Sequence, residues 1–259
     1  MSKPLISIIT ATYNDKLQLL KTSESIKEST YRNIEWVVID GLSTDGTFEW
    51  LKSNTDVVRK WVSEPDCGIY DAWNKGLAKA EGEWIIFLGA GDLLRHDWLQ
   101  KIKFDQMQNV DIVYGDLALL DIEGERFVGS RCGMEWESTK KKLMCSMCLP
   151  HPGMLHRSAI FIGNMFSTKY KIVGDWEFFL RAVIRGGYYV AGATQASVLL
   201  GGVSSGSHSI LRHQLERQRL IEEYQLKMCP FQEFKWVLKV VVAKWRWLYA
   251  FMQRIRWSA

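Results

Sequence analysis

Hydrophobic and polar positions in the first half of the chain alternate between two repeat lengths. Residues 6–11 form an apolar, β-branched run, as expected for a strand covered on both faces. Residues 17–27 then repeat apolar positions at helical spacing. The same alternation predicts strand 34–39, helix 44–52, strand 57–62, helix 69–80, strand 84–88, helix 93–106 and strand 112–114. Strands alternating with helices of this length imply βαβ units around a parallel sheet, an α/β fold. From Gly115 onward the pattern changes. A hairpin over 117–128, turning at Glu123-Gly124, is followed by a long loop, a helix over 175–185 and a strand over 188–191.

Composition narrows the class. The 259 residues suit one large domain with or without a helical appendage. Apolar residues at 47% and charged residues at 24% support a packed core. A net charge of +4 is too small to imply nucleic acid as a partner. The N-terminal MSKPLISIITATYN lacks the ordered charged, apolar and cleavage regions of a signal peptide. No segment reaches the ~20 apolar residues that span a bilayer. The cysteines, Cys67, Cys132, Cys145, Cys148 and Cys229, are odd in number and irregularly spaced, which suits a reducing cytoplasm. Cys145, Cys148, His151 and His156 lie close enough in sequence to bind zinc, but the short spacers with Pro150 and Pro152 match no finger layout. A loop with small buried thiols is the expectation there.

In a parallel sheet ligands bind beyond the C-terminal strand ends. Three expected ends carry polar side chains, namely Thr12-Tyr13-Asn14, Asp40 and Asp92. The last is the most pointed: EWIIFLGAGDLL drives a strand through the core and sets one carboxylate after Gly89-Ala90-Gly91. The dinucleotide fingerprint G-x-G-x-x-G is missing after the first strand, and so is the P-loop pattern. A phosphate-bearing ligand would then be met by a carboxylate-held cation.

Five ordered blocks, ISIITATYN, VVIDGLSTDGT, SEPDCGIYDAWNKGLAKAEGEWIIFLGAGD, GDWEFFLRA and GGVSS, resemble family 2 glycosyltransferases of the GT-A fold. The similarity covers about residues 4–205 and is greatest to bacterial enzymes of capsule, colanic-acid and O-antigen assembly. It implies inverting transfer of a sugar from a nucleotide donor, a UDP-sugar being expected, with Mn²⁺ or Mg²⁺. Thr12, Tyr13, Asn14 and Asp40 resemble the base and ribose contacts, and Asp66 the loop closing over the nucleotide. Asp92 resembles the metal ligand at the end of the family's D-x-D element. Gly91 departs from that pattern, because many relatives carry a second Asp there. Asp175 resembles the catalytic base.

Each assignment has a structural alternative. Asp40 suits an Asx turn before Gly41 and Ser43, Asp66 a turn after Pro65, and Asp175 an N-cap. Glu177 reads as a first-turn charge. His151 suits either an acceptor or diphosphate contact or a satisfied loop histidine. The 201–208 loop, GGVSSGSH, could order over the donor, with His208 reaching phosphate.

The chain divides into a GT-A-like domain, 1–205, and a helical extension, 206–259. In FQEFKWVLKVVVAKWRWLYAFMQRIRWSA, Lys235, Lys239, Lys244, Arg246, Arg254 and Arg256 outnumber the one acid, Glu233, and tryptophans are interspersed. Such a helix lies in a membrane interface or packs on a protein surface. The first option fits a polyprenyl-diphosphate-linked sugar acceptor and a place on the inner face of the cytoplasmic membrane. Two other functions stay in view: a nucleotidyltransferase, for which TATYND supplies no basic phosphate loop, and a non-catalytic subunit of a polysaccharide assembly complex.

Overall fold

The computed structural model describes residues 3–121, 124–128, 135–199, 207–227 and 245. In chain order the elements are β1 (Ile6–Thr12), α1 (Lys16–Glu28), β2 (Ile34–Asp40), α2 (Thr47–Ser53), β3 (Lys60–Ser63), α3 (Ile69–Leu77) and β4 (Trp84–Phe87). They continue with β5 (Leu93–Leu94), β6 (Ile112–Asp121), β7 (Gly124–Val128), α4 (Trp136–Leu143), β8 (Leu155–Arg157), α5 (Gly174–Arg181), β9 (Gly187–Leu199) and α6 (Ser207–Glu223). The strands form one mixed sheet in the order β3-β2-β1-β4-β8-β6-β9-β5, with β7 paired to β6.

The first half is the expected parallel unit. β1 runs parallel to β2 and β4, and β2 runs parallel to β3. Alternation along each strand sends side chains to two covered faces. Ile9, Val37, Ile39, Ile85 and Phe87 pack with Tyr70 and Trp73 of α3, with Trp176, Phe178 and Phe179 of α5, and with Leu220 of α6. Ile6, Ile8, Trp36, Val38, Trp84 and Ile86 pack with Leu19 and Ile26 of α1 and Leu51 of α2. Burying each large side chain contributes roughly 1.5–3 kcal/mol, so both layers are needed to hold the sheet. Leu220 and Leu226, beyond residue 205, belong to the same core as α3 and α5.

The helix expected over 93–106 is not formed. Leu93 and Leu94 pair instead with Ser197 and Ala196 of β9, and short 3₁₀ turns follow at Leu99–Lys101 and Phe104–Gln106. Leu94, Trp98, Leu99 and Ile102 are still buried, so the apolar spacing marked the right side chains. The backbone groups are claimed from outside: Leu94 N–H donates to the Ser25 hydroxyl and Arg95 N–H to the Gln195 carbonyl. β8, only three residues long, wedges antiparallel between β4 and β6 and converts the parallel half into a mixed sheet.

Register sets up the rim where function was expected. Thr12 of β1 sits beside Asp40 of β2, and Asp40 beside Ser63 of β3. β4 ends next to them, with Leu88 N–H donating to the Ile9 carbonyl at 3.0 Å.

Candidate active site

The pocket wall begins where β1 ends. Asn14 takes a left-handed backbone (φ 50°), and its side-chain oxygen accepts from Thr44 N–H at 2.8 Å while Asn14 N–H donates to the Ser43 hydroxyl at 2.7 Å. This ties the 12–14 turn to the loop after β2 and leaves the Tyr13 ring 65% exposed. Asp40 is fully buried, and its carboxylate accepts from Ser43 N–H, the Ser43 hydroxyl and, at 2.6 Å, the Ser63 hydroxyl. It shapes the loop from beneath as an Asx-turn residue does. Gly41 lies above it, and a Cβ there would stand 2.8 Å from an Asp66 carboxylate oxygen and 3.2 Å from the Tyr13 ring. Tyr13, Gly41 and Asp66 therefore converge at one place, although they come from three different loops. Asp66 in turn accepts from Gly68 N–H at 2.8 Å, which fixes the loop leading into α3. Thr12 is buried and its hydroxyl has no hydrogen-bond partner.

Asp92 is built into a clamp. The Thr22 hydroxyl of α1 accepts from Gly91 N–H and donates to the Asp92 carbonyl, each at 2.9 Å. The carboxylate accepts from Gly89 N–H at 3.0 Å and from Leu199 N–H, at the end of β9, at 3.3 Å. Burial pushes its pKa up to about 6, against those two amides, which favour the anion. With one amide on each oxygen, lone pairs remain for a cation. Among the described residues no three His, Cys, Asp or Glu side chains gather as a metal site. A single carboxylate is nevertheless a fitting partner for Mg²⁺ or Mn²⁺, which take much of their coordination from substrate phosphates and water. Gly91 has φ +93°, and a Cβ there would lie 3.0 Å from Leu199 and 3.3 Å from Gln18. The departure from a paired aspartate is thus a backbone requirement.

Asp175 opens α5. Its Oδ1 accepts from Trp176 N–H at 2.8 Å and lies 3.3 Å from the Tyr70 hydroxyl, which donates to the Ile172 carbonyl at 2.7 Å. Burial raises its pKa to about 6, offset in part by these donors. Tyr70 belongs to the first turn of α3, just past the Asp66 loop, so its contact sets Asp175 beside that loop. Burial, and then the nearby Asp175, push the Tyr70 pKa well up, which keeps its proton in place. Nothing in the periodicity of α3 marks Tyr70, because its partner is a hundred residues away.

Glu177 is buried and engaged elsewhere, paired with Arg181 at 2.9 Å and accepting from the Tyr224 hydroxyl at 2.7 Å. His151 is 5% exposed and stacks on Trp73 and Phe87, with ring centroids 4.9 and 5.4 Å away. Burial, and then His156 beside it, drive its pKa well below the usual value, so it is a neutral core group. The Cys145 and Cys148 thiols are directed at the carbonyls of Lys227 and Thr139. Residues 201–206 and the His208 side chain lie outside the described residues.

Comparison with known proteins bears on the family and the fold. A family model described as Glycosyl transferase family 2 matches residues 7–161. A PGL/p-HBAD biosynthesis glycosyltransferase of Mycobacterium bovis is 30% identical over 189 residues, covering 70% of each chain. An uncharacterized glycosyltransferase of Haemophilus influenzae is 34% identical over 130 residues, 49% of this chain and 52% of that one. Among solved structures, S. aureus TarS in complex with UDP-GlcNAc superposes with a TM-score of 0.65 at 17% identity, over 82% of this chain and 65% of that one. The mannosyltransferase PcManGT of Pyrobaculum calidifontis, in complex with GDP-Man and Mn²⁺, gives 0.61 at 16% identity, over 94% and 69%. The solved structures share the GT-A fold, and the sequence matches carry the assignment: the chain belongs to glycosyl transferase family 2.

Proposed function

We propose that this transferase moves one sugar, with inversion, from a nucleotide-sugar to a lipid-linked oligosaccharide in bacterial surface polysaccharide assembly. A UDP-sugar is the expected donor and a polyprenyl-diphosphate-linked sugar the expected acceptor. The observation that supports this reading is Asp175, a carboxylate with its pKa raised by burial, bonded to Trp176 N–H and set against Tyr70 just past the Asp66 loop. An inverting displacement needs one base, and a pKa near 6 gives a carboxylate that is ionised at neutral pH yet more basic than usual.

In this reading the exposed Tyr13 ring stacks on the base, while Asn14, Thr12 and Asp66 meet the base and ribose and Asp40 holds their loop. Asp92 is the residue that would hold Mn²⁺ or Mg²⁺, whose chemistry is to neutralise charge at the leaving diphosphate. Asp175 takes the proton of the acceptor hydroxyl as that oxygen attacks the anomeric carbon. The bond from that carbon to the donor diphosphate breaks, and the nucleoside diphosphate leaves with the electron pair. Tyr70 keeps the Asp175 carboxylate turned to the rim. The Trp-rich basic tail, with Lys140, Lys141 and Lys142 exposed at the end of α4, supports a place on the inner face of the cytoplasmic membrane.

Calorimetric titration with UDP, GDP and dTDP, with and without Mn²⁺, on wild type and Asp92→Ala tests the donor half. One nucleotide should bind in a metal-dependent way, and that dependence should vanish in the variant. Equal binding without metal would reduce Asp92 to the end of a turn. No nucleotide binding at all would favour a non-catalytic subunit.

A further inference from the structure

Residues 171–173 form a short strap between the donor loop and the helix that carries Asp175. On one side, the Lys171 ammonium donates to the Cys67 carbonyl, and its stem lies 3.3 Å from where a Cβ of Gly68 would be. On the other, the Ile172 carbonyl accepts from Tyr70, and the Val173 carbonyl accepts from Glu177 N–H at 2.9 Å, within the first turn of α5. The strap's own amides point away from both, to a single carboxylate. Glu216 of α6, 8% exposed, accepts from Lys171 N–H at 3.0 Å, from Ile172 N–H at 2.8 Å and from Val173 N–H at 3.3 Å.

A buried carboxylate is costly unless its lone pairs are filled, and three consecutive amides fill them with charge-assisted bonds. Anchoring α6 does not by itself require such an arrangement, because Leu220, with Ile221 beside it, already packs the helix into the core. What the carboxylate fixes is the path of the three residues that end one position before the first turn of α5. We infer that Glu216 is a positioning residue for Asp175, holding the strap so that the Tyr70 hydroxyl and the Asp175 carboxylate keep their relative places. This inference rests on the reading of Asp175 as the base. It also places a requirement for activity in α6, beyond the 7–161 segment that the family model matches.

The test is steady-state transfer by the full chain carrying Glu216→Ala or Glu216→Gln, alone and combined with Tyr70→Phe, with folding checked by thermal melting. Glu216→Ala should lower kcat at least tenfold while the donor KM moves less than threefold. Glu216→Gln, which keeps the shape and one acceptor oxygen, should recover part of that loss, and it carries the test if the alanine variant does not fold. Because both residues act on Asp175 through the strap, the double variant with Tyr70→Phe should lose less than the product of the single losses. Folded variants with a lowered Tm but an unchanged kcat would overturn the inference and leave Glu216 a tie for α6. Losses that multiply in the double variant would also overturn it. A wild-type protein without transfer, or full transfer in Asp175→Asn, would instead overturn the reading of Asp175 itself.

Discussion

At the scale of single residues, Asp175 is held in a place that favours its neutral form. Its pKa is about 6 in the fold against 3.8 for a free side chain, and burial is the main cause. A raised carboxylate pKa means that the native state binds the extra proton between about 4 and 6. The resulting loss of stability grows as pH rises through that window and is complete above it. At pH 7 it is on the order of 3 kcal/mol. Asp175→Asn should therefore abolish transfer, by about 10²-fold or more, yet melt a few degrees higher than wild type at pH 7. That gain should shrink as pH falls and disappear by about pH 3, where the wild-type carboxyl is protonated folded or unfolded. An unchanged melting temperature across both pH values would show that Asp175 is not buried at a cost. Wild-type kcat should fall below pH 6 as the base is protonated. Gly91 gives a second residue-level prediction. Restoring the family's aspartate, Gly91→Asp, puts a side chain at φ +93° against Leu199 and Gln18. It should cost about 1–3 kcal/mol in a denaturant melt and fail to tighten Mn²⁺-dependent nucleotide binding; tighter binding would contradict this. The sequence marked Asp92 because a carboxylate ending an apolar run is visible locally, whereas Asp66 and Asp175 were marked only by the family resemblance. It could not mark Thr22, Tyr70 or Glu216, whose roles exist only in contacts that span 44 to 105 positions.

Whole elements were legible where burial on both faces forced a pattern. β1, β2 and β4 read as strands because their runs of buried, largely β-branched and aromatic residues lie between two helical layers. Residues 93–106 misled for a related reason: buried positions at helical spacing also arise when a two-residue strand is followed by 3₁₀ turns. β8 is too short for any period to register. The most consequential element contact is that of α5 on α3. Gly174, the first residue of α5, faces the Tyr70 ring so closely that a Cβ would fall 2.6 Å from it. That ring is itself locked, stacked on Phe166 and set edge-on to Trp73. Alanine normally stabilises a helix relative to glycine by about 1 kcal/mol, but overpacking at a site that cannot give costs about 1–3 kcal/mol. Gly174→Ala should thus lower the melting temperature by several degrees. It should also reduce kcat about tenfold, because α5 and its carboxylate are pushed off Tyr70, with nucleotide affinity unchanged within threefold. Unaltered kcat would mean that the Tyr70–Asp175 contact does not matter to the reaction.

At the scale of the molecule, Asp175 stands close to a run of exposed lysines on α4. The Trp176 indole N–H donates to the Leu143 carbonyl at 2.6 Å, so the end of α4 is fixed beside the residue that follows Asp175. That same last turn carries Lys140, Lys141 and Lys142, all exposed, followed by the exposed Met144. Two residues past α4, the Cys145 thiol meets the carbonyl of Lys227, beyond which the basic, Trp-rich sequence begins. The α4 lysines and Lys227 therefore share one side of the domain, next to the proposed acceptor-side base. No described helix is long and apolar enough to cross a membrane. Each basic residue near an anionic bilayer contributes about 1 kcal/mol at moderate salt. Co-sedimentation with vesicles of phosphatidylglycerol and phosphatidylethanolamine should therefore show binding that weakens as salt rises. Converting Lys140, Lys141 and Lys142 together to Gln should weaken it at least tenfold, and deleting residues 231–259 should abolish it, with soluble-acceptor turnover retained by the lysine variant. Equal binding to neutral vesicles would assign the attachment to the tryptophans alone. No binding by the intact chain would turn the tail into a surface for a protein partner and detach the lipid-linked acceptor from this reading of the fold.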